Sequence, residues 1–535
     1  MTLTTSHAHG PTDRDVLDVT LGDLLRQAAA DVPERVAIVE GIADADAART
    51  FTYAEFLDQA ERTARALLAR FEPGDHIAVW AHNIPEWVFL EFGCALAGMA
   101  IATVNPAYQA KELTYVLSQS NAKALFVVDE HRGNPMRSIA EGVHGDCPDL
   151  EEIVRFAEWD DFLSSGDSFE GELPAVSPDG RVMIQYTSGT TGFPKGAALH
   201  HRGLISNANH YFDRLGMAES SVYLTVMPLF HTAGSAMSVL GATSMQCTQV
   251  LVDAFEPGLV LRLSEENDVN ALIGVPTMMI ALLEHPDFPD TDLSTLEALC
   301  SGGSLVPEHL VRTFEEKLGA PFTIVYGQTE ASPVINMTSP DDTIEDKSQT
   351  IGPPMPHTEV KIIDPETGET VPIAAVGELC ARGYLVMHGY YEMPEQTAAA
   401  IDADGWLHTG DLASMNERGY CTIEGRLKDM IIRGGENIYP KEIEELLFTH
   451  DTVGGVAVVG LPDDKWGETV GAFLRPAPGH SIDKNELFVF LRDNLSPQKT
   501  PTHWFEVGEF PLTGSGKIQK FVLRDQWVAG DWTEI

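Results

Sequence analysis

The sequence predicts an α/β protein, with a large N-terminal layered α/β body of mostly parallel sheets followed by a small, mobile α+β C-terminal domain. The chain has 535 residues, a length that suggests more than one domain and a sizeable core. Between about residues 50 and 420, short β-branched runs alternate with amphipathic stretches, which is typical of parallel sheets layered with helices. After about residue 426 the pattern changes, and this change indicates a second unit.

Four apolar runs in the large body predict strands, because they are short and rich in β-branched residues. The runs are His76–Trp80, 123–129, 181–189 and Phe322–Gly327, and helical patterns over 51–68 and 309–318 lie among them. Residues 87–104 resemble a membrane span most, but they include Glu91 and many small residues. A spanning helix needs more uniform apolarity. We therefore expect a buried helix that runs into a strand, and no integral membrane segment.

The second unit begins after a loop rich in glycine and charge over residues 425–440. Pro440 stands near the first turn of a predicted helix, whose apolar Ile443, Leu446 and Leu447 share one face. Two apolar strands, a helix over about 483–493 and a last strand are expected to follow. The expected boundaries are 1–425 for the large N-terminal domain, 426–429 for a hinge and 430–535 for the small domain.

Composition excludes several classes of function. The chain carries 80 Asp and Glu against 35 Lys and Arg, a net charge of −45, so nucleic acid is not an expected partner because like charges repel. The six cysteines form no C-x-x-C pair, which argues against a disulfide framework or a structural zinc site. No secretory signal pattern stands at the N-terminus. We expect a cytoplasmic protein and leave a homodimer open as its quaternary state.

The most informative segment is YTSGTTGFPKG, at residues 186–196, which follows a predicted strand. Backbone N–H groups and hydroxyls in such a loop can surround phosphate oxygens, and Lys195 adds a mobile positive charge. The segment does not match the P-loop spacing, and the chain contains no G-x-G-x-x-G. The ordered string therefore predicts a phosphate-binding loop of another kind.

Six further strings follow in order along the chain. They are MPLFHTAG (227–234), SGGSLVP (301–307), YGQTE (326–330), GWLHTGDL (405–412), GRLKD with GGENIYP (425–440) and PLTGSGKIQK (511–520). With the loop at 186–196, they resemble the adenylate-forming superfamily of acyl- and aryl-CoA ligases, luciferases and peptide-synthetase adenylation domains, and are most similar to fatty-acyl-CoA synthetases. The resemblance implies an AMP-forming acid–thiol ligase, with Mg²⁺ as cofactor and ATP and CoA as co-substrates.

The resemblance also implies a site for ATP and AMP. Its residues are Thr187, Ser188, Gly189, Thr190, Thr191, Gly192, Lys195, Gly302, Gly303, Ser304, Tyr326, Gly327, Gln328, Thr329, Asp411, Ile423, Arg426 and Lys517. Tyr326 and Gly327 are similar to the pair that packs against adenine in the family. Asp411 and Arg426 are similar to the ligands of the ribose hydroxyls.

The resemblance implies four catalytic residues, Lys517, Lys195, Thr329 and His231. Thr329 is implied to reach the α-phosphate, His231 is similar to the gate histidine of CoA ligases, and the two lysines are implied to act through their charge. A substrate carboxylate is already ionised at pH 7, so the difficulty lies in bringing it onto an anionic α-phosphate. Lys517 and Lys195 would offset that charge together with Mg²⁺, which Glu330 and Thr190 are implied to hold through oxygen atoms.

A second half-reaction must bring a thiol to the acyl carbonyl. The family does this by rotating its small domain about a hinge, and the matching hinge position here is Lys428. The resemblance implies that Gly434, Gly435 and Glu436 then face the active site and line the CoA route. Glycines allow the close backbone approach that such a route requires.

The acid is less well defined by the sequence. Amino-acid-activating relatives carry an aspartate in the second string, where this chain has Phe230, His231 and Thr232, so an amino acid is not expected. The small, apolar segments 233–245 and 275–283 could line a hydrocarbon channel, and the predicted acyl-pocket residues are His231, Ser235, Val275 and Met279. We expect a medium- or long-chain fatty acid. An aryl or alicyclic acid, an acyl-adenylate donor to a separate carrier protein and a non-catalytic nucleotide-binding module stay open as alternatives.

Overall fold

The computed structural model describes residues 2–187, 194–302, 306–434, 436–463, 465–512 and 518–535. Two large sheets form the body. The first has seven strands in the spatial order Gly389–Tyr390, Lys195–His200, Arg181–Thr187, Ala100–Thr103, His76–Trp80, Ala122–Val127 and Glu152–Arg155. Its last five strands pair in parallel, and the first two add antiparallel pairings.

The second sheet has eight strands. Their spatial order is Val334–Met337, Phe322–Gly327, Ala298–Gly302, Ala271–Ile273, Val222–Thr225, Thr248–Val252, Val36–Gly41 and Thr50–Thr52. Only the outermost pair at each end is antiparallel. The prediction of an α/β body with mostly parallel sheets is confirmed.

A third sheet is antiparallel throughout, a feature that the sequence patterns did not predict. Its five strands are His7–His9, Thr358–Ile363, Gly377–Gly383, Leu407–Met415 and Cys421–Arg426. The last two strands are joined by a five-residue turn, too short for the crossover that parallel neighbours need. This sheet carries the GWLHTGDL string on its fourth strand.

Thirteen described helices pack around these sheets. They are Leu21–Asp31, Tyr53–Leu68, Pro85–Leu96, Ala110–Gln119, Met136–Val143, Trp159–Ser165, His201–Arg214, Gly241–Ser244, Pro257–Glu266, Pro276–Leu283, Glu308–Leu318, Ile344–Gln349 and Pro394–Ala400. The helix predicted from residue 51 begins at Tyr53, because Phe51 pairs with Ile38 in the second sheet and Thr52 forms a capping box with Glu55.

The apolar run at 87–104 forms the expected helix and strand. All residues of Pro85–Leu96 except Glu86 are buried, and Ala100–Thr103 is a buried strand. Among the described residues, no helix is long and apolar enough to cross a membrane.

The small domain is a separate α+β unit, as predicted. Its strands are Ile431–Arg433, Glu436–Ile438, Val453–Asp463, Gly467–Pro476 and His503–Glu506, and its helices are Pro440–Phe448, Lys484–Asn494 and Lys520–Ala529. A single turn, Leu427–Asp429, joins it to the large body. One core of the domain stacks the Phe473 and Phe505 rings at 4.6 Å between centroids. The exact boundaries stay a prediction.

Candidate active site

The best-connected group of the candidate site surrounds the carboxylate of Asp411, which is 7% exposed. Tyr326 Oη donates a hydrogen bond to Asp411 Oδ2 at 2.6 Å, and Gln328 Nε2 donates to the same oxygen at 3.1 Å. Arg426 Nε lies 3.3 Å from Asp411 Oδ1, because the two residues face each other on paired antiparallel strands. The structure thus brings together four residues that the sequence places up to a hundred positions apart. We call them the Asp411 cluster.

The Tyr326 hydroxyl stays protonated. Burial, the Asp411 charge and the hydrogen bond to Asp411 together raise the pKa of Tyr326 well above its usual value. The phenol therefore remains a donor at physiological pH. Gln328 is oriented by a second bond, which its Nε2 donates to Thr409 O at 2.7 Å.

Glycines at two strand ends permit close backbone approach beside this cluster. A Cβ atom at Gly327 would lie 2.0 Å from Pro333 O, and one at Gly302 would lie 2.6 Å from the Val325 side chain. Gly302 and Val325 are partners on adjacent parallel strands. The predicted nucleotide residues Gly302, Tyr326 and Gly327 therefore meet at one edge of the eight-stranded sheet.

A second group links Lys195, Tyr390 and Glu330. Tyr390 Oη donates to Glu330 Oε1 at 2.7 Å, and Lys195 Nζ lies 4.6 Å from the centroid of the Tyr390 ring. Sequence reasoning singled out Lys195 and Glu330 but missed Tyr390. The string HGYYEM around Tyr390 has no charged group until Glu392, so its only available signal was an aromatic residue after a glycine.

The structure describes the two ends of the predicted phosphate loop. Thr187 and Lys195 are partners in an antiparallel pair, and Thr187 Oγ1 lies 3.4 Å from Lys195 O. The two described ends of the segment therefore lie side by side on paired strands. Several predicted site residues lie outside the described residues. They are Ser188, Gly189, Thr190, Thr191, Gly192, Gly303, Ser304, Gly435 and Lys517.

Thr329 opens a single helical turn, Thr329–Ala331, which directly follows Gln328. Glu330 lies in that turn, and Met387 N donates to Glu330 O at 2.9 Å. The turn thus follows the strand that ends at Gly327 and contacts the segment that carries Tyr390.

The predicted hinge residue lies close to both groups. Partial burial lowers the pKa of Lys428, and the charges of Arg426 and Lys195 lower it further. The charges of Asp429 and Asp411 raise it in part. The Lys428 ammonium therefore lies within the electrostatic range of both Asp411 and Lys195. Ile423, another predicted nucleotide residue, accepts a hydrogen bond from the Lys441 ammonium through its carbonyl, which ties the first helix of the small domain to the third sheet.

The predicted CoA-route residues make their described contacts inside the small domain. Gly434 N donates to Trp466 O at 2.8 Å, and a Cβ atom at Gly434 would lie 2.7 Å from the Trp466 ring. The backbone there has φ +61°, a conformation that favours glycine. Glu436 and Arg433 are partners in the antiparallel pair of strands Ile431–Arg433 and Glu436–Ile438. Their role in CoA binding stays a prediction.

The predicted acyl-pocket residues fall into two places. His231 and Ser235 lie together, with Ser235 Oγ 3.3 Å from His231 O, at the start of the fully buried helical segment Ala233–Leu240. Val275 precedes the helix Pro276–Leu283 and is half-buried, whereas Met279 is fully buried in the core around the second sheet. Packing in that core accounts for Met279 without a ligand, so its pocket role stays a prediction.

Comparisons with known proteins match nearly the whole chain. A profile of the AMP-binding enzyme family matches residues 25–391, and one of the AMP-binding enzyme C-terminal domain matches residues 442–517. YngI of Bacillus subtilis, a provisionally named acyl-CoA synthetase, is 39% identical over 96% of this chain and 98% of its own. The mitochondrial medium-chain acyl-CoA ligase of Homo sapiens is 36% identical over 97% of this chain and 89% of its own. A crystal structure of ATP-bound MatB from Rhodopseudomonas palustris has a TM-score of 0.86 and 28% identity, covering 96% of this chain and 99% of that one.

Proposed function

Because the chain belongs to the AMP-binding enzyme family, we propose that it is an ATP-dependent carboxylate–CoA ligase that forms acyl-CoA through an acyl-adenylate. The observation that carries this proposal is the Asp411 cluster. A carboxylate held by Tyr326, Gln328 and Arg426 is a strong acceptor for the hydroxyls of a ribose. At the neighbouring strand ends, Gly302 and Gly327 let the chain pack closely against Val325 and Pro333, which places the proposed adenine-side residues next to this cluster.

In the first half-reaction, a carboxylate oxygen of the acid attacks the α-phosphorus of ATP. The new C–O–P linkage forms as the bond between the α-phosphorus and its bridging oxygen breaks, and pyrophosphate leaves. Lys195 stands at the end of the phosphate loop, where its charge would offset negative charge on the triphosphate. We assign Lys517 to the same charge problem near the attacking carboxylate.

The Glu330 carboxylate suits Mg²⁺, since this cation prefers carboxylate and phosphate oxygens. Its half-buried side chain has one oxygen engaged by the Tyr390 hydroxyl, which orients the group without neutralising it. Bound with ATP, Mg²⁺ would supply positive charge at the triphosphate. Thr190 is the second proposed ligand.

In the second half-reaction, the sulfur of CoA attacks the acyl carbonyl carbon. The C–S bond forms, the bond between the acyl carbon and the AMP oxygen breaks, AMP leaves, and the thiol proton passes to solvent. We propose that rotation about Lys428 brings Gly434, Gly435 and Glu436 toward the adenylate for this step. The short joining turn Leu427–Asp429 supports a hinge at this position.

We propose a medium- or long-chain fatty acid as the substrate. The fully buried segment Ala233–Leu240 next to His231 provides small and apolar side chains, and residues 230–232 include no carboxylate that could pair with a substrate amine. The human relative named for medium-chain acyl-CoA ligation supports the same class. A cytoplasmic location and a homodimer stay predictions.

A screen of acids tests this proposal. Pyrophosphate release would be measured with ATP and Mg²⁺ over fatty acids of increasing length and over aryl and alicyclic acids, each with and without CoA. We expect the highest turnover with a medium- or long-chain fatty acid. A preference for an aryl or alicyclic acid would overturn the substrate class, and adenylate formation with no transfer to CoA would favour a carrier protein as the acceptor.

A further inference from the structure

We propose that Tyr390 is a positioning residue, which holds Lys195 on its ring and Glu330 on its hydroxyl and so keeps these two opposite charges from pairing with each other. This inference rests on the proposed function, in which Lys195 and Glu330 act separately on the triphosphate and its Mg²⁺. Tyr390 itself contacts neither the substrate nor the reacting atoms in this account.

The contacts of Tyr390 are well defined. Its hydroxyl lies 2.7 Å from Glu330 Oε1, the Lys195 ammonium lies 4.6 Å from its ring centroid, and the residue is only 8% exposed. Lys195 and Glu330 both lie in the described part of the chain, and no ion pair within 4.0 Å joins them there. One aromatic side chain therefore contacts both charged groups.

The backbone fixes this side chain relative to Lys195. Tyr390 pairs with Ala197 on the strand that begins at Lys195, and Tyr391 N donates to Gly196 O at 2.8 Å. Tyr390 N in turn donates to Thr397 Oγ1 at 2.9 Å. A change in the position of Tyr390 would therefore require the edge of the seven-stranded sheet to move.

The same segment also fixes the turn that carries Glu330. Met387 N donates to Glu330 O at 2.9 Å, only three residues before Tyr390. The segment 387–391 thus binds the Glu330 backbone, the Glu330 carboxylate and the strand of Lys195. Among the described residues, this segment therefore connects the strand that begins at Lys195 with the proposed metal ligand Glu330.

Physical chemistry explains why an aromatic residue suits this place. A cation held by a ring face keeps its N–H groups available for phosphate oxygens, whereas an ion pair with Glu330 would occupy both the ammonium and the carboxylate. The Tyr390 hydroxyl donates to Glu330 at 2.7 Å, and the Tyr390 ring is uncharged. Neither contact therefore cancels the charge of the group that it holds.

Two substitutions separate the two contacts. Tyr390→Phe removes the hydroxyl but keeps the ring over which Lys195 lies, and Tyr390→Leu removes both. The matched control is Tyr420→Phe. It deletes a similar hydrogen bond, which Tyr420 Oη donates to Asp342 Oδ1 at 2.7 Å. Tyr420 lies in the turn at the far end of the strand that carries Asp411. Glu330→Gln serves as the reference for the proposed metal ligand.

The readout is the Mg²⁺ dependence of binding of a non-hydrolysable ATP analogue, measured by calorimetry, together with the KM for the fatty acid. We expect Tyr390→Phe to raise the half-saturating Mg²⁺ concentration about three- to tenfold, since a charge-assisted hydrogen bond to the carboxylate is lost. The KM for the acid should stay unchanged. Tyr390→Leu should in addition lower kcat for pyrophosphate release below that of the phenylalanine variant.

The outcomes distinguish this inference from the proposed function. If Glu330→Gln leaves the Mg²⁺ dependence unchanged, the assignment of Glu330 in the proposed function fails. If Glu330→Gln shifts it and Tyr390→Phe does not, or if Tyr420→Phe shifts it equally, the positioning role of Tyr390 is overturned. Thermal melting of each variant shows whether it is folded. Should Tyr390→Leu fail to fold, the phenylalanine variant decides.

Discussion

Replacing Tyr326 with phenylalanine removes one of the three donors that hold the Asp411 carboxylate, while it keeps a ring for the proposed contact with adenine. The lost bond is short, at 2.6 Å, and its acceptor is charged. Hydrogen bonds to charged groups contribute roughly 1.5–3 kcal/mol. Gln328 and Arg426 still contact Asp411, so we expect the lower part of that range, about 1.5–2 kcal/mol. Since about 1.4 kcal/mol corresponds to a factor of ten, the KM for ATP should rise roughly 10- to 30-fold.

Steady-state pyrophosphate release, with ATP varied at saturating acid and Mg²⁺, measures this effect. The KM for the acid should change less than twofold, because Tyr326 is assigned to the nucleotide. The control is Tyr420→Phe, which removes a phenol–carboxylate bond of similar length at the far end of the strand that carries Asp411 and should leave the KM for ATP unchanged. An unchanged KM for ATP in Tyr326→Phe, or an equal rise in the control, would refute the assignment of the Asp411 cluster to the nucleotide.

Three further predictions concern separate parts of the account. Glu330→Gln should lower the adenylation rate strongly at limiting Mg²⁺, and equal rates at every Mg²⁺ concentration would make Glu330 structural. Lys517→Ala should slow adenylation by about 10²-fold or more yet spare thioester formation from supplied acyl-adenylate. Lys428→Pro should slow thioester formation and spare adenylation, because proline stiffens the hinge. Equal loss of both half-reactions in both variants would contradict domain rotation. Phe473→Ala should lower the free energy of unfolding of the small domain by about 3–5 kcal/mol, and a loss below about 1 kcal/mol in chemical denaturation would contradict the packing described.

Much of the fold could be predicted because local patterns agree with the tertiary structure. The strands His76–Trp80 and Phe322–Gly327 have the bounds that their apolar runs predict, since buried parallel strands are apolar on both faces. The antiparallel third sheet was missed, because its strands are also largely buried and their direction depends on the turns between them. Periodicity alone carries no information about strand direction.

The candidate site was predicted unevenly for a similar reason. Asp411 and Glu330 were singled out because the ordered strings around them resemble those of a known family. Tyr390 was missed because its contacts to Lys195 and Glu330 depend on a two-residue strand pairing over a distance of nearly two hundred residues. Met279 was predicted for the pocket from apolar composition, which core packing satisfies equally well.

The central claim is that this chain activates a carboxylic acid as an adenylate and transfers it to CoA. The most direct measurement is the product stoichiometry of one reaction that contains ATP, Mg²⁺, a medium-chain fatty acid and CoA, with all nucleotides and thioesters quantified by chromatography and mass spectrometry. The account predicts AMP, pyrophosphate and acyl-CoA in equal amounts, with acyl-adenylate detectable when CoA is left out. Formation of ADP and phosphate, or consumption of ATP without any acyl-adenylate or thioester across the acids screened, would contradict it.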